Sequence, residues 1–514
     1  MKCLQQTGLD VKSHPARGQE TPCAAYVEGE DGMKDRKTGT IGRRDMFRMV
    51  GAGGAAALSS RLASAASGPQ NDPTRQAVAT AWSEVNETDR QRSRRWQQRM
   101  DWWLDARFGM FIHWDPSSLA SVEISWPIMS PSPKWNITQE EYVNLYKKFN
   151  PVKYDPDAWV ELAKSAGQKY IVLTTKHHDG FCMFDSSFTD YKITNTPYKK
   201  DVLKMLVEAC HRHDMPLGYY YSPPDMHHPD FRDTSKPAKE NWHGEPTRPQ
   251  WPNYLNYLQL QLRELITRYG EPTVFWFDGL NNQEKYDGYH VQRMLRELSP
   301  GSLFNNRLGT PGDYETPEQF VPDRIPVKGV RIAGVDPAEQ NRLPSGLPRP
   351  EDFQPWETCM TINNTWAYNK NDHKYKSAKM LIQTLVNVAS KGGNFLLNVG
   401  PSPEGVIQPE FQERLREIGK WLAINGESIY GTTYGSLQDL AYGRTTAKGG
   451  TTYLHIFDWP KGSLEVGGVG HVSRVSLLSR GEILSFQRSG NGVTIQLPAE
   501  APDTNDTVLK IETT

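Results

Sequence analysis

Short apolar runs alternate with amphipathic helical stretches from residue 108 to residue 399, and this alternation restricts the fold more than any other feature of the chain. The runs are FGMFIHW (108–114), YIVLTTK (170–176), PLGYYYS (216–222), TVFWFDG (273–279), SLFNNR (302–307), CMTIN (359–363) and NFLLNV (394–399). Helical patterns lie between them, at 157–167, 201–213, 254–270 and 377–390. Several runs are apolar on both faces, as strands of a parallel sheet covered by helices must be. Units of ~30 to ~60 residues predict an α/β fold, a (β/α)8-like TIM barrel with insertions. Its expected limits are residues 96–430, with the proline-containing stretch 321–355 as an insertion near the active face. After that the texture changes. TTYLHIF, RVSLLS, VTIQLP and TVLKIE are β-type runs divided by Gly, Ser and Asn turns. They predict a small C-terminal antiparallel β-sandwich over 431–514.

The N-terminal part reads as an address. Arg43 and Arg44 precede a Gly/Ala-rich, weakly apolar segment that ends at the small-residue site Ala63-Ser64-Ala65. This is the layout of a twin-arginine export signal, so residues 1–65 are expected to be an extension and signal, 66–95 a polar linker. The expected destination is periplasmic or extracellular. No later segment has the ~18 consecutive apolar residues of a membrane helix, so no membrane span is expected.

Charge and cysteine content exclude other classes. The 59 basic and 60 acidic residues give a formal net charge of −1, without the basic excess of a nucleic-acid binder. The five cysteines are scattered and no CxxC occurs, which removes a disulfide framework and a structural zinc site. The 15 Trp and 22 Tyr suit a cleft whose aromatic faces stack on sugar rings, although large cores hold such residues too.

In a barrel of this kind chemistry sits at the C-terminal ends of the strands. Those ends carry His113, then Lys176, His177 and His178, then Tyr221, Asp278 and Arg307; Glu357 precedes the sixth run and Trp366 follows it. Asp278 is the sharpest case. It ends a run of Val274, Phe275, Trp276 and Phe277, where a carboxylate is costly unless something compensates it. So many polar groups converging on one rim are hard to explain as packing.

Taken together, RFGMFIHW, TTKHHDGF, GYYYSPPDMHHPD, WFDG, NNR, TPE, WETCMTINNTWAYN and GGNFLLNVGPSPEG resemble the retaining α-L-fucosidases of glycoside hydrolase family 29. The resemblance runs from about residue 96 to 435 and implies a barrel followed by a β-sandwich. It also implies an exo-acting enzyme that removes terminal α-L-fucose from a fucosylated oligosaccharide or polysaccharide through a covalent fucosyl-enzyme, with no cofactor and no metal. Asp278 falls on the family's nucleophile. The acid/base falls on Glu357 or Glu318, with Glu357 preferred. His113, His177, His178, Tyr221, Trp276 and Arg307 fall on sugar-contacting positions, and Trp126 and Trp366 on positions that stack beside the fucose methyl. Two positions depart: Asp115 stands where the family usually has Gly, and Ser125 where it commonly has Glu, with Glu123 a possible substitute.

Three rival readings come from the same residues. One is a retaining glycosidase of other specificity, such as an α-galactosidase. Another is a catalytically inactive fucose-binding protein. The third is a metal-dependent barrel hydrolase with His113, His177, His178 and Asp278 as ligands.

Overall fold

The computed structural model describes residues 91–232, 250–279, 286–334 and 343–514. The twin-arginine segment and most of the expected linker lie outside the described residues. Residues 91–106 form a helix, so its last part is already regular structure. Ser83–Thr514 is one compact unit.

Seven parallel strands make the main sheet: β1 (Phe108–Ile112), β2 (Ile171–Lys176), β3 (Leu217–Tyr221), β4 (Val274–Phe277), β5 (Leu303–Phe304) and, after the two-residue strands β6 (Thr316–Pro317) and β7 (Ala333–Gly334), β8 (Glu357–Thr361) and β9 (Asn394–Val399). Their order is β5-β4-β3-β2-β1-β9-β8. The curl brings the two edges toward each other, and residues 314–318 fill the space between them. Asn305 bridges Tyr314 on the β5 side, while Glu315 bridges Trp356 and Glu318 bridges Cys359 on the β8 side, all in parallel sense. The sheet is therefore a curled barrel wall closed by isolated bridges instead of a full ladder. Nearly every residue of β1–β4 and β9 is buried, which is why these runs are apolar on both faces.

Two apolar clusters follow from the strand parity. Phe111, Val172, Tyr220, Trp276, Cys359 and Leu396 point inward and meet Met100, Trp103 and Ala106 of the helix 91–106. That helix stoppers the N-terminal end of the barrel, leaving the other end open. The outward residues, such as Ile112, Leu173, Tyr221 and Phe277, pack on the surrounding helices. Among those are Pro156–Ser165, started by the Asp155 side chain accepting from Ala158 N–H, and Val202–Arg212, started in the same way by Asp201.

Past the barrel come β10 (Thr433–Tyr434), β11 (Gly443–Lys448), β12 (Thr451–Ile456), β13 (Ser463–Gly467), β14 (Val472–Leu477), β15 (Phe486–Ser489), β16 (Gly492–Gln496) and β17 (Thr507–Thr513). They form antiparallel sheets of five strands, β10-β11-β12-β17-β14, and three, β13-β16-β15. Leu454, Ile456, Val475, Val493, Ile495 and Ile511 fill the space between them. Cys182, Cys210 and Cys359 are free and buried. Among the described residues no helix is long and apolar enough to cross a membrane.

Candidate active site

Asp278 follows the last residue of β4, at the open end of the barrel. The chain can turn there because Gly279 has no side chain: a Cβ would lie 2.5 Å from the Arg307 carbonyl oxygen. Gly279 N–H donates to that oxygen at 2.7 Å, which fastens the end of β4 to the turn Asn306–Leu308 and brings Arg307 onto the carboxylate. Arg307 Nη1 lies 3.1 Å from Asp278 Oδ1, Tyr220 Oη donates to Oδ2 at 3.1 Å, and His178 Nε2 stands 3.3 Å from Oδ2. Burial alone would raise the Asp278 carboxyl, but Arg307 and His178 outweigh it and hold the group far below the ordinary carboxylate range. This is the compensation that an aspartate beside four apolar residues requires.

The same guanidinium holds a second carboxylate. Arg307 Nη1 donates to Glu318 Oε2 at 2.7 Å, while Nε and Nη2 are fixed by Thr316 Oγ1 and the Thr316 carbonyl. Glu318 follows β6 and is part of the segment that closes the barrel wall. The two carboxylate oxygens can be no farther apart than the sum of their two distances to Nη1. The Arg307 guanidinium also lies 4.8 Å above the Trp276 ring.

A cavity of ≈ 260 Å³ opens over this pair, with His113, His177, His178, Tyr220, Arg307 and Glu318 among its polar lining. Apolar residues complete the lining: Phe111, Ile124, Trp126, Met129, Trp276, Cys359 and Trp366. Trp276 stacks on Tyr220 (5.6 Å, 15°), and Tyr220 on His177 (5.2 Å, 3°), so the floor is a packed row of rings. Trp126 is 44% exposed and forms part of the rim. The sequence thus brings Asp278, Glu318, His113, His177, His178, Trp126, Trp276, Arg307 and Trp366 into one cavity.

Two expected residues are elsewhere. Glu357, preferred as the acid/base, is the first residue of β8 and sits toward the end of the barrel opposite the opening. It is fully buried, accepts from the Tyr170 hydroxyl and from Trp276 Nε1, and does not line the cavity. Burial pushes its carboxyl up to about 7 against those two hydrogen bonds. The expected strand began at residue 359, whereas β8 begins two residues earlier, and in a parallel sheet the start of a strand is the wrong end for the rim. Glu318 takes the place beside Asp278.

Tyr221 is the other correction. Its hydroxyl donates to Gln261 Oε1 at 2.8 Å on the outer side of the wall, and Lys176 Nζ lies 4.5 Å from its ring. Tyr220 is the cavity residue. The signal was available in the register: Tyr220 pairs with Trp276 across β3 and β4, and paired residues of a sheet share a face. Lys176 also faces outward, in a buried pair with Asp225 at 3.3 Å that ties the loop after β3 to β2. Cys359 and Phe111 went unnoticed because nothing distinguishes an inward apolar residue near the opening from one lower in the barrel.

His177, His178 and Asp278 offer ligand atoms within 4.8 Å of one another, a spacing that could hold a metal ion. Arg307 stands 3.1 Å from the same carboxylate, and its fixed positive charge opposes a cation there.

Residues 74–427 match the family model described as Alpha-L-fucosidase. The chain belongs to the α-L-fucosidase family. It is therefore a glycoside hydrolase, as several relatives support. It is 29% identical over 432 residues to the plasma α-L-fucosidase of Homo sapiens, covering 77% of this chain and 85% of that protein. With the α-L-fucosidase of Branchiostoma floridae the identity is 28% over 437 residues, 77% of this chain and 88% of the relative. Among solved structures, α-L-fucosidase isoenzyme 1 from Paenibacillus thiaminolyticus superposes with a TM-score of 0.72 at 35% identity, covering 82% of this chain and 100% of that one. A family 29 α-L-fucosidase from Bacteroides thetaiotaomicron, trapped as a covalent intermediate with 2-fluoro-fucosyl fluoride, superposes with a TM-score of 0.67 at 28% identity, covering 81% and 96%.

The two departures from the α-L-fucosidase pattern both meet Asp179. Asp115 is buried behind the cavity and accepts from Ser117 N–H at 2.8 Å. Burial, and then the neighbouring Asp179 charge, push its carboxyl well above the ordinary range. Ser125 contacts His177 Nδ1 at 2.6 Å. Glu123 does not replace the missing carboxylate: it accepts from the backbone N–H groups of Trp366 and Ala367 at 2.9 and 3.0 Å and so positions Trp366.

Proposed function

We propose that the chain is a retaining exo-α-L-fucosidase working by double displacement. Asp278 attacks the anomeric carbon and forms a fucosyl ester while Glu318 protonates the departing oxygen. Glu318 then takes a proton from water, which attacks the ester and frees Asp278.

One observation carries this reading: a single nitrogen, Arg307 Nη1, contacts both carboxylates, at 3.1 and 2.7 Å. The two contacting oxygens are thereby held close, which favours the roughly 5–5.5 Å carboxyl spacing of retaining enzymes. The cavity is smaller than the roughly 300–1,000 Å³ of sites for drug-sized ligands, which suits one terminal sugar ring. Its mixed lining, with imidazoles and charged groups beside Phe111, Trp126 and Trp366, suits a sugar that carries both hydroxyls and a methyl group. The twin-arginine segment supports export as the setting, with glycans outside the cytoplasm as substrates.

The test compares release of nitrophenol from 4-nitrophenyl α-L-fucopyranoside and from 4-nitrophenyl α-D-galactopyranoside, each with an Asp278→Gly control. Preferential turnover of the fucoside, absent in the control, is expected. Faster turnover of the galactoside would reject the specificity, and binding without turnover of either would reject the activity.

A further inference from the structure

The three imidazoles of the cavity are wired to different partners on the sides that face away from it. A neutral imidazole has one N–H, and the partner of one nitrogen decides whether the other donates or accepts. Hydrogen atoms are assigned by completing the network around each ring.

At His177 the partner is Ser125 Oγ, 2.6 Å from Nδ1. That oxygen already accepts the Asp179 N–H at 2.8 Å. Among the described residues its own hydrogen has no acceptor except His177 Nδ1. Tyr142 cannot serve, because its hydroxyl accepts Ser125 N–H at 2.7 Å and donates to Asp179 Oδ2 at 2.7 Å. The serine hydroxyl therefore donates to Nδ1, and the ring proton is on Nε2.

At His113 the polarity is reversed. Nδ1 lies 2.7 Å from Asn398 Oδ1, and the amide cannot be flipped because Asn398 Nδ2 donates to the Trp366 carbonyl at 2.7 Å. An amide oxygen only accepts, so His113 Nδ1 carries the proton and Nε2 is bare. Burial lowers the ring to about 4, and it lowers His177 well below the ordinary value with help from His178 and His113, so both rings are neutral near pH 7. His178 differs from both. Its Nδ1 faces Ser222 Oγ, whose hydrogen goes to the Pro224 carbonyl at 2.9 Å, and its Nε2 faces Asp278. Both of its nitrogens face acceptors, so it serves the nucleophile.

We propose that Ser125 and Asn398 fix opposite tautomers on the two rings, so that His177 offers the sugar a hydrogen-bond donor and His113 an acceptor. The inference rests on the glycosidase reading of the cavity. Ser125, at the position where a carboxylate was expected, is then a specificity-determining positioning residue. A carboxylate facing Nδ1 would demand a proton there and leave Nε2 as an acceptor. The bound sugar must present a hydroxyl that donates to His113, whereas an ether or fluorine, which cannot donate, is tolerated only opposite His177.

Neutron diffraction from a perdeuterated crystal of the free enzyme at pH 7 tests this directly. A deuteron on Nε2 of His177 and one on Nδ1 of His113 are expected. Finding it on Nδ1 of His177, or on Nε2 of His113, overturns the proposal. In solution, Ser125→Ala should raise KM for 4-nitrophenyl α-L-fucopyranoside by about five- to twenty-fold with kcat changed far less, the loss of one hydrogen-bonding partner. An unchanged KM would also reject it. Deuterons in the expected places in an enzyme that turns over no fucoside would support the tautomers and sink the activity, so the two readings fail separately.

Discussion

Tyr220 and Tyr221 are consecutive residues of β3 whose hydroxyls lie on opposite sides of the barrel wall: Tyr220 donates to Asp278, and Tyr221 to Gln261. The pair makes a controlled experiment. Tyr220→Phe removes one of the groups that hold the nucleophile ionised and aimed, and kcat/KM for the aryl fucoside should fall about tenfold. Tyr221→Phe should leave kcat/KM within about twofold while lowering unfolding stability by about 1 kcal/mol. Steady-state kinetics and thermal melts on the two variants separate these outcomes, and a larger kinetic loss from Tyr221→Phe would place the sugar on the wrong side of β3.

Asp278→Gly removes the attacking oxygen. Turnover should drop by roughly 10³-fold or more, and azide, entering the vacated space, should restore part of it as a fucosyl azide whose anomeric configuration is inverted relative to the substrate. A variant that keeps its activity would take Asp278 out of the mechanism.

Glu318→Ala should cost far more on a substrate with a poor leaving group, such as a fucosylated oligosaccharide, than on the activated nitrophenyl fucoside, because only the former needs a proton on the departing oxygen. Glu357→Ala should show no such dependence on the leaving group. Rates of both variants on both substrates decide the matter, and the opposite pattern would return the role to Glu357.

Glu357 gives a stability signature instead. Its folded-state carboxyl is raised, first by burial, from 4.5 to about 7. The folded protein therefore binds the proton more tightly than the unfolded chain over that interval, and stability falls as pH rises through it. The contribution is full below about pH 4.5 and gone above about pH 7, on the order of 3 kcal/mol. Glu357→Gln cannot titrate, so the fall in unfolding free energy between pH 5 and 7 should be smaller than in the parent by about 2 kcal/mol. Equal slopes in urea titrations across that range would mean that Glu357 is not the group responsible.

The barrel was legible in the sequence because strands buried on both faces leave an unmistakable apolar text, and because helical period separates them. The polar rim was legible for a related reason: Asp278 or His113 next to such a run has no packing explanation. What remained hidden was phase. Tyr220 and Tyr221 are equally apolar, so only the pairing of β3 with β4 tells which one faces inward. Glu357 misled through the direction of its strand: it comes at the start of the run, and in a parallel sheet that end lies opposite the opening. Glu318 was undervalued because TPE has no strand-like run around it, only β6 and a few isolated bridges.

Those bridges have a mechanical meaning. Asp278 is mounted at the end of a continuous strand, with both neighbours paired, while Glu318 is mounted on the seam where the wall is joined at single points. In the proposed mechanism the group that must stay still is on the stiff part, and the group that must meet first a leaving group and then a water is on the compliant part. The stretch that follows Glu318 can change length or shape without parting any pair of long strands, so variation there leaves the aim of Asp278 untouched.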